Sequence, residues 1–272
     1  MSDTEKYHYT EQGTGPPLLL LHGLFDSLQT WDDLAPLLSQ NFKVYALDLP
    51  GFGKSPLPSD WPESLSGITE HLIAFLDDLD LERISLVGNS MGGSLSLALT
   101  QKYPERIHKI ALLNPYGLPE VPQAVFSARR KTLGTILPYL LRAGAMKLCI
   151  KGIFSRSLYE QSLLTPTRIK RIAEPFSSLK QLKSLFRFLR AISPEQIQEI
   201  DRRLGEIRQA VLILWGTEDG WLTETHWQHL ENRLPSAQVK KIEACGHLPQ
   251  IEKPEVVAKA LIPFFLEFRN KS

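Results

Sequence analysis

Residues 84–103 read ISLVGNSMGGSLSLALTQKY and contain the most informative pattern of the chain. A short apolar run leads into a glycine-rich turn, and a helical pattern follows it. Gly88, Ser90 and Gly92 match the spacing G-x-S-x-G between a buried strand and a helix. At such a sharp turn, side chains two residues either side of the serine would collide, so glycine is required there. The pattern predicts a serine hydroxyl lifted clear of the sheet, near the positive end of a helix.

Other short apolar runs recur along the chain and alternate with helical patterns. Nearly continuous apolar runs of this length are typical of strands that are buried on both faces. We expect strands at residues 18–21, 44–49, 84–87, 107–113 and 211–215, and helices at residues 31–38, 68–79, 95–103, 223–234 and 256–268. This alternation predicts an α/β fold with a mostly parallel sheet flanked by helices.

The alternation stops between residues 117 and 208, where helical patterns occur without a convincing strand. We therefore expect a helical cap at residues 117–208, inserted into a core formed by residues 1–116 and 209–272. Residues 117–200 hold 14 Lys and Arg against 5 Asp and Glu, although the whole chain has a net charge of only +1. The sequence thus predicts a basic cap on an acidic core.

The composition is that of a globular protein, and the charge balance and the cysteines bear on its partners and its compartment. The 272 residues are 43% hydrophobic and 22% charged, as in ordinary globular proteins. There is no overall basic excess, so we expect no nucleic-acid partner. The N-terminus lacks the apolar core of a signal peptide, and two distant cysteines suggest a reducing compartment. We expect a cytoplasmic protein.

A catalytic serine needs a base and an acid that orients the base. Asp219 lies in the loop after the strand predicted at residues 211–215, on the same sheet edge as Ser90. Its neighbour Glu218 is a rival for this role. Asp48 also follows a predicted strand, but it is better interpreted as a turn residue.

Seven histidines compete for the role of the base. His247 lies in a loop after an alternating run at residues 238–242, and it follows Asp219 in the chain. His22 stands beside Gly23 after the first predicted strand and is better interpreted as organising that loop. Serine, acid and histidine in this order indicate nucleophilic catalysis, in which imidazole takes the serine proton.

Five segments together resemble the serine hydrolases of the α/β-hydrolase superfamily. They read LLLLHGLFDS, DLPGFGKS, LVGNSMGG, LILWGTEDG and EACGHLPQIEKP, and they stand in the order of that family. The resemblance implies an α/β-hydrolase fold with Ser90 as the nucleophile, Asp219 as the orienting acid and His247 as the general base. It implies chemistry that needs no metal and no organic cofactor.

The resemblance also implies an oxyanion hole formed by the main-chain N–H groups of Leu24 and Met91, with Phe25 as the alternative second donor. Apolar residues beside the catalytic positions are expected to line the substrate pocket. These are Phe25, Trp221 and Leu248.

We expect a carboxylic-ester hydrolase that acts on a small or lipophilic acyl ester through an acyl-enzyme on Ser90. The segment GNSMGG is shared with carbon–carbon bond hydrolases of ring-cleavage products, which typically carry an aromatic residue where this chain has Leu248. Metal-free haloperoxidase-like enzymes share the same catalytic residues. Outside the enzymes, the alternative is a ligand receptor on a hydrolase scaffold that signals through cap movement.

The basic cap has two interpretations. Its cations either attract an anionic substrate or contact an anionic membrane surface. Residues 133–151 mix large apolar residues with cations, which suits an interfacial helix. It equally suits a cap helix that packs against the core, and we prefer that interpretation.

Overall fold

The computed structural model describes residues 6–58, 64–116 and 146–267. Within them, seven strands form one sheet: β1 Tyr9–Gln12, β2 Pro17–Leu21, β3 Lys43–Leu47, β4 Ile84–Asn89, β5 Ile107–Leu113, β6 Ala210–Gly216 and β7 Ala237–Ile242. Their order across the sheet is β1-β3-β2-β4-β5-β6-β7. The edge strand β1 runs antiparallel to β3, whereas all other neighbours are parallel. The predicted fold class is confirmed.

The helices of the described residues connect these strands or follow them. They are α1 Ala35–Leu38, α2 Leu65–Asp78, α3 Met91–Lys102, α4 Met146–Ser157, α5 Pro166–Ala173, α6 Leu179–Arg190, α7 Pro194–Arg202, α8 Glu224–Arg233, α9 Pro249–Glu252 and α10 Pro254–Leu266. None of them is both long enough and apolar enough to cross a membrane.

Two details differ from the sequence-based expectation. The helix expected at residues 31–38 is instead a 3-10 turn, Leu28–Trp31, followed by the short α1. Pro36 has no N–H, so it fits the first turn of α1 but not the interior of a longer helix. The strand β1 was not predicted because Tyr9–Gln12 is polar and only half-buried at the sheet edge.

The sheet buries apolar side chains on both faces. Alternate residues of β2 point in opposite directions: Leu19 and Leu21 pack with α2 and α3, whereas Leu18 and Leu20 pack with α1 and α10. A fully buried leucine contributes about 1.5–3 kcal/mol. Both cysteines are free thiols, so no disulfide supports this core.

The described part of the predicted cap, residues 146–208, contains α4 to α7 and no strand. The starts of α5, α6 and α7 are capped by the side chains of Thr165, Ser178 and Ser193, each of which accepts a bond from a main-chain N–H three residues later. Apolar residues of these helices join the core cluster beneath them. The division into a core and a cap, with its boundaries, stays a prediction.

The expected amphipathic stretch at residues 133–151 lies largely outside the described residues. At its described end, in α4, Met146 and Ile150 are buried, whereas Leu148 is 73% exposed. The membrane contact therefore stays a prediction.

Candidate active site

Ser90 stands at the turn between β4 and α3, with φ 51° and ψ −116°. This left-handed backbone is strained for a residue with a side chain. A Cβ at Gly88 would lie 2.4 Å from the carbonyl oxygen of Gly92, and a Cβ at Gly92 would lie 2.0 Å from that of Leu21. Both glycines are therefore required by the packing around the turn, as the sequence pattern predicts. The turn presents Ser90 at the carboxyl edge of the sheet.

Asp219 and His247 come together at the same edge, after β6 and β7. The Nδ1 atom of His247 lies 2.6 Å from Oδ2 of Asp219. The other oxygen, Oδ1, accepts bonds from the main-chain N–H groups of Trp221 and Leu222, at 2.7 and 3.0 Å. Burial raises the pKa of Asp219, but the bonds from His247 and from the two N–H groups outweigh it, so the pKa of this carboxyl is lowered. A charged Asp219 thus holds His247 in one orientation.

The rivals considered for the acid do not face His247. Glu218 is exposed. Asp48 is buried, but its oxygens accept bonds from the N–H groups of Leu28 and Lys54 and pair with His8. Asp48 therefore organises its own turn.

His22 organises the loop after β2, as expected. Its Nδ1 donates to the carbonyl oxygen of Gly23 at 2.8 Å, and its Nε2 accepts from the N–H of Leu49 at 3.0 Å. Burial lowers the pKa of His22, which favours the neutral ring that this arrangement needs.

A cavity of about 340 Å³ opens over Ser90 and His247. The predicted pocket residues Phe25, Trp221 and Leu248 all line it. Asp219 lies behind His247 and does not reach the cavity wall. The described helices of the predicted cap also contribute apolar side chains to the cavity wall: Ile153, Phe154, Leu189, Ile192, Ile197 and Ile200.

The two expected oxyanion donors also border this cavity. Met91 is the first residue of α3, so its N–H has no acceptor within the helix. A Cβ at Gly23 would lie 3.4 Å from Cβ of Ser90, so the loop that leads into Leu24 runs beside the serine. The alternative donor, Phe25, has a left-handed backbone with φ 59°.

Sequence reasoning missed two buried asparagines in this site. Asn114, which follows β5, donates through Nδ2 to Oδ2 of Asp219 at 2.7 Å. Asn89, the residue before the serine, donates through Nδ2 to the carbonyl oxygens of Leu113 and His247, each at 3.0 Å. Both residues lie at carboxyl ends of central strands, a position that could have marked them.

Comparisons with known proteins bear on the family of the chain. A sequence model of the alpha/beta hydrolase fold family matches residues 16–254. The chain belongs to the α/β-hydrolase family. This α/β-hydrolase is 28% identical over 262 residues to a 2-hydroxy-6-oxo-6-phenylhexa-2,4-dienoate hydrolase of Comamonas testosteroni, covering 94% of this chain and 90% of the relative.

Two further relatives span nearly the whole α/β-hydrolase chain. An uncharacterized hydrolase of Bacillus subtilis is 27% identical over 271 residues, covering 94% of this chain and 92% of the relative. The solved structure of a meta-cleavage product hydrolase from Pseudomonas fluorescens superposes with a TM-score of 0.79 at 23% identity, covering 95% of this chain and 93% of that one. The structural likeness supports the fold.

Proposed function

We propose that this α/β-hydrolase hydrolyses carboxylic esters through an acyl-enzyme on Ser90. The observation that carries the proposal is one apolar cavity bordered by Ser90 and by a histidine that Asp219 holds. None of the described residues that line the cavity is Lys or Arg. The one carboxylate among these described lining residues is Asp26, which is buried. Such a wall suits an uncharged ester with a small or lipophilic acyl group.

In the proposed acylation step, Nε2 of His247 takes the proton of Ser90 as its Oγ attacks the ester carbonyl carbon. Asp219 stabilises the imidazolium that forms. The N–H groups of Leu24 and Met91 hold the oxyanion, each lowering the barrier by about 3 kcal/mol. His247 then gives its proton to the leaving alcohol oxygen, and the acyl group remains on Ser90.

Deacylation repeats these steps with water as the nucleophile. His247 takes a proton from the water as the water oxygen attacks the acyl carbon. The tetrahedral intermediate collapses, the proton passes to Ser90, and the carboxylic acid leaves. The residues at 117–208 act as the cap in this proposal, because the described cap helices supply much of the apolar wall.

A second candidate is hydrolysis of a carbon–carbon bond. The relative from Comamonas testosteroni is named for a dienoate substrate and is 28% identical over nearly the whole chain. A dienoate carries a carboxylate, whose burial needs a cation or several N–H donors. The described cavity wall offers neither Lys nor Arg, which favours the ester.

The two candidates are separated by a substrate panel. We expect multiple turnover of p-nitrophenyl esters of graded chain length by the wild type, and none above background with Ser90→Ala. The same enzymes are assayed with 2-hydroxy-6-oxo-6-phenylhexa-2,4-dienoate. Turnover of the dienoate without turnover of any ester would reverse our order of preference.

A further inference from the structure

The end of helix α4 contacts both loops that carry the proposed base and acid. The carbonyl oxygen of Ser157 accepts a 2.6 Å bond from the main-chain N–H of His247. The hydroxyl of the same Ser157 accepts a 2.8 Å bond from the indole N–H of Trp221, two residues after Asp219. One residue of the predicted cap is thus bonded to two loops. The histidine loop lies between β7 and α9 and carries His247, and the aspartate loop lies between β6 and α8 and carries Asp219.

The preceding residue, Arg156, strengthens the contact with the aspartate loop. Its Nε donates to the carbonyl oxygen of Gly220 at 2.5 Å, and its guanidinium lies 4.5 Å from the ring centroid of Trp221. A guanidinium over an indole ring is a favourable cation–π contact.

Glu252 of α9 also bonds to the histidine loop and to the residues that follow α4. Its Oε1 accepts a 2.7 Å bond from the N–H of Gly246, the residue before His247. Its Oε2 accepts bonds from the N–H groups of Tyr159 and Glu160, at 2.8 and 2.9 Å. One carboxylate therefore bridges the histidine loop and the chain that leaves α4.

The two bridged segments are in direct main-chain contact. A Cβ at Gly246 would lie 2.3 Å from the carbonyl oxygen of Ser157 and 2.8 Å from the N of Tyr159. No side chain fits between them. If the bridge were weakened, the bond from the His247 N–H to Ser157 would still join these two backbones, but the His247 main chain would be held less firmly.

We propose that Glu252 is a positioning residue for His247: it fixes the histidine loop against the end of α4, and thereby couples the cap to the alignment of the proposed catalytic groups. This inference rests on the proposed function. Because a misplacement of about 1 Å costs on the order of 10²-fold in rate, a bridge that is remote from the reacting atoms still controls kcat.

Glu252→Gln tests the proposal, with Glu255→Gln as the matched control because Glu255 is exposed at the start of α10. Glutamine keeps one acceptor oxygen but turns an NH2 group toward N–H donors. We expect kcat on a p-nitrophenyl ester to fall about 10²-fold with KM nearly unchanged, and the control to match the wild type. The low-field proton resonance of the His247–Asp219 bond is expected to weaken or shift in Glu252→Gln alone.

Glu252→Asp provides a second variant. It keeps the charge but is one methylene too short to reach both segments, so we expect a smaller loss of kcat. Rates are expressed per active site that reacts with a fluorophosphonate, so that unfolded protein does not count. If the wild type is active and both variants retain its kcat and its resonance, the proposal is wrong. If the wild type hydrolyses no ester, the proposed function fails, and the resonance alone decides the role of Glu252.

Discussion

Asn114 and Asp219 share a buried hydrogen bond of 2.7 Å, and its acceptor, Oδ2, is the oxygen that also faces His247. Asn114 is held in turn by the N–H of Gly216, which donates to its Oδ1 at 3.0 Å. The amide therefore links the end of β6 to the carboxylate that follows it. Asn114 has a left-handed backbone, with φ 40°, which asparagine tolerates better than most residues.

Removing the side-chain amide of Asn114 is expected to slow catalysis. Asn114→Gly keeps the left-handed backbone accessible and removes only the side chain. A hydrogen bond to a charged group is worth about 1.5–3 kcal/mol, so we expect kcat/KM to fall about 10- to 100-fold. Steady-state kinetics beside Asn232→Gly, an exposed helix position, give the comparison. Equal losses in the two variants would show that Asn114 has no special role.

Substitution of a glycine in the turn around Ser90 tests how closely this turn is packed. In Gly92→Ala the new methyl would lie 2.0 Å from a main-chain oxygen, so we expect little folded protein and no activity. Gly152→Ala is the matched control, because a Cβ there meets nothing within 4 Å. That change lies inside α4 and is expected to stabilise the protein by about 0.5–1 kcal/mol. Thermal unfolding of both variants is the measurement, and a well-folded Gly92→Ala with normal activity would contradict the packing described.

Much of the fold followed from local sequence. The buried strands β2 to β6 are nearly continuous apolar runs. The turn at Ser90 needs two glycines, and their spacing is visible in the sequence. The loops after β6 and β7 were found because strand ends of a parallel sheet meet at one edge. The edge strand β1 carries no such signal, since Tyr9–Gln12 is half-buried and polar.

Contacts between distant segments could not be read from the sequence. Asn114 lies 105 positions from Asp219, and Glu252 lies 93 positions from Tyr159. Asparagine and glutamate are common at strand ends and on helices, so their residue types alone do not indicate a contact with the site. Only the fold shows that these side chains bond to the segments around the site.

Asp26 is expected to make stability depend on pH. Burial raises its pKa to about 7, against the bond from the N–H of Ser27. Between about pH 4 and pH 7 the folded chain keeps a proton that the unfolded chain releases, so stability falls as pH rises through this window. Asp26→Asn should remove that fall in stability. Its free energy of unfolding near pH 8 is expected to exceed that of the wild type by a few kcal/mol, because one pKa unit corresponds to about 1.4 kcal/mol. Urea unfolding at several pH values measures it; a variant that is no more stable than the wild type near pH 8 would refute the prediction.

Arg168–Asp33 and Arg171–Asp32 are two of the ion pairs that join the predicted cap to the core in the described part of the chain. The residues of the second pair are 48% and 46% exposed, so water and salt screen it. A double-mutant cycle with Arg171→Ala and Asp32→Ala is expected to give a coupling of about 0.2–1 kcal/mol at low salt, and almost none at about 1 M salt. A coupling that does not change with salt would mean that the pair is better shielded than its exposure indicates.

The acyl-enzyme on Ser90 is tested most directly by mass spectrometry of protein quenched with acid during turnover of p-nitrophenyl butyrate. We expect a butyryl group on the peptide that contains Ser90, together with steady multiple turnover, and neither in Ser90→Ala. A single burst without further turnover would contradict the proposed hydrolase and favour a ligand receptor. Full turnover by Ser90→Ala would contradict the assignment of the nucleophile.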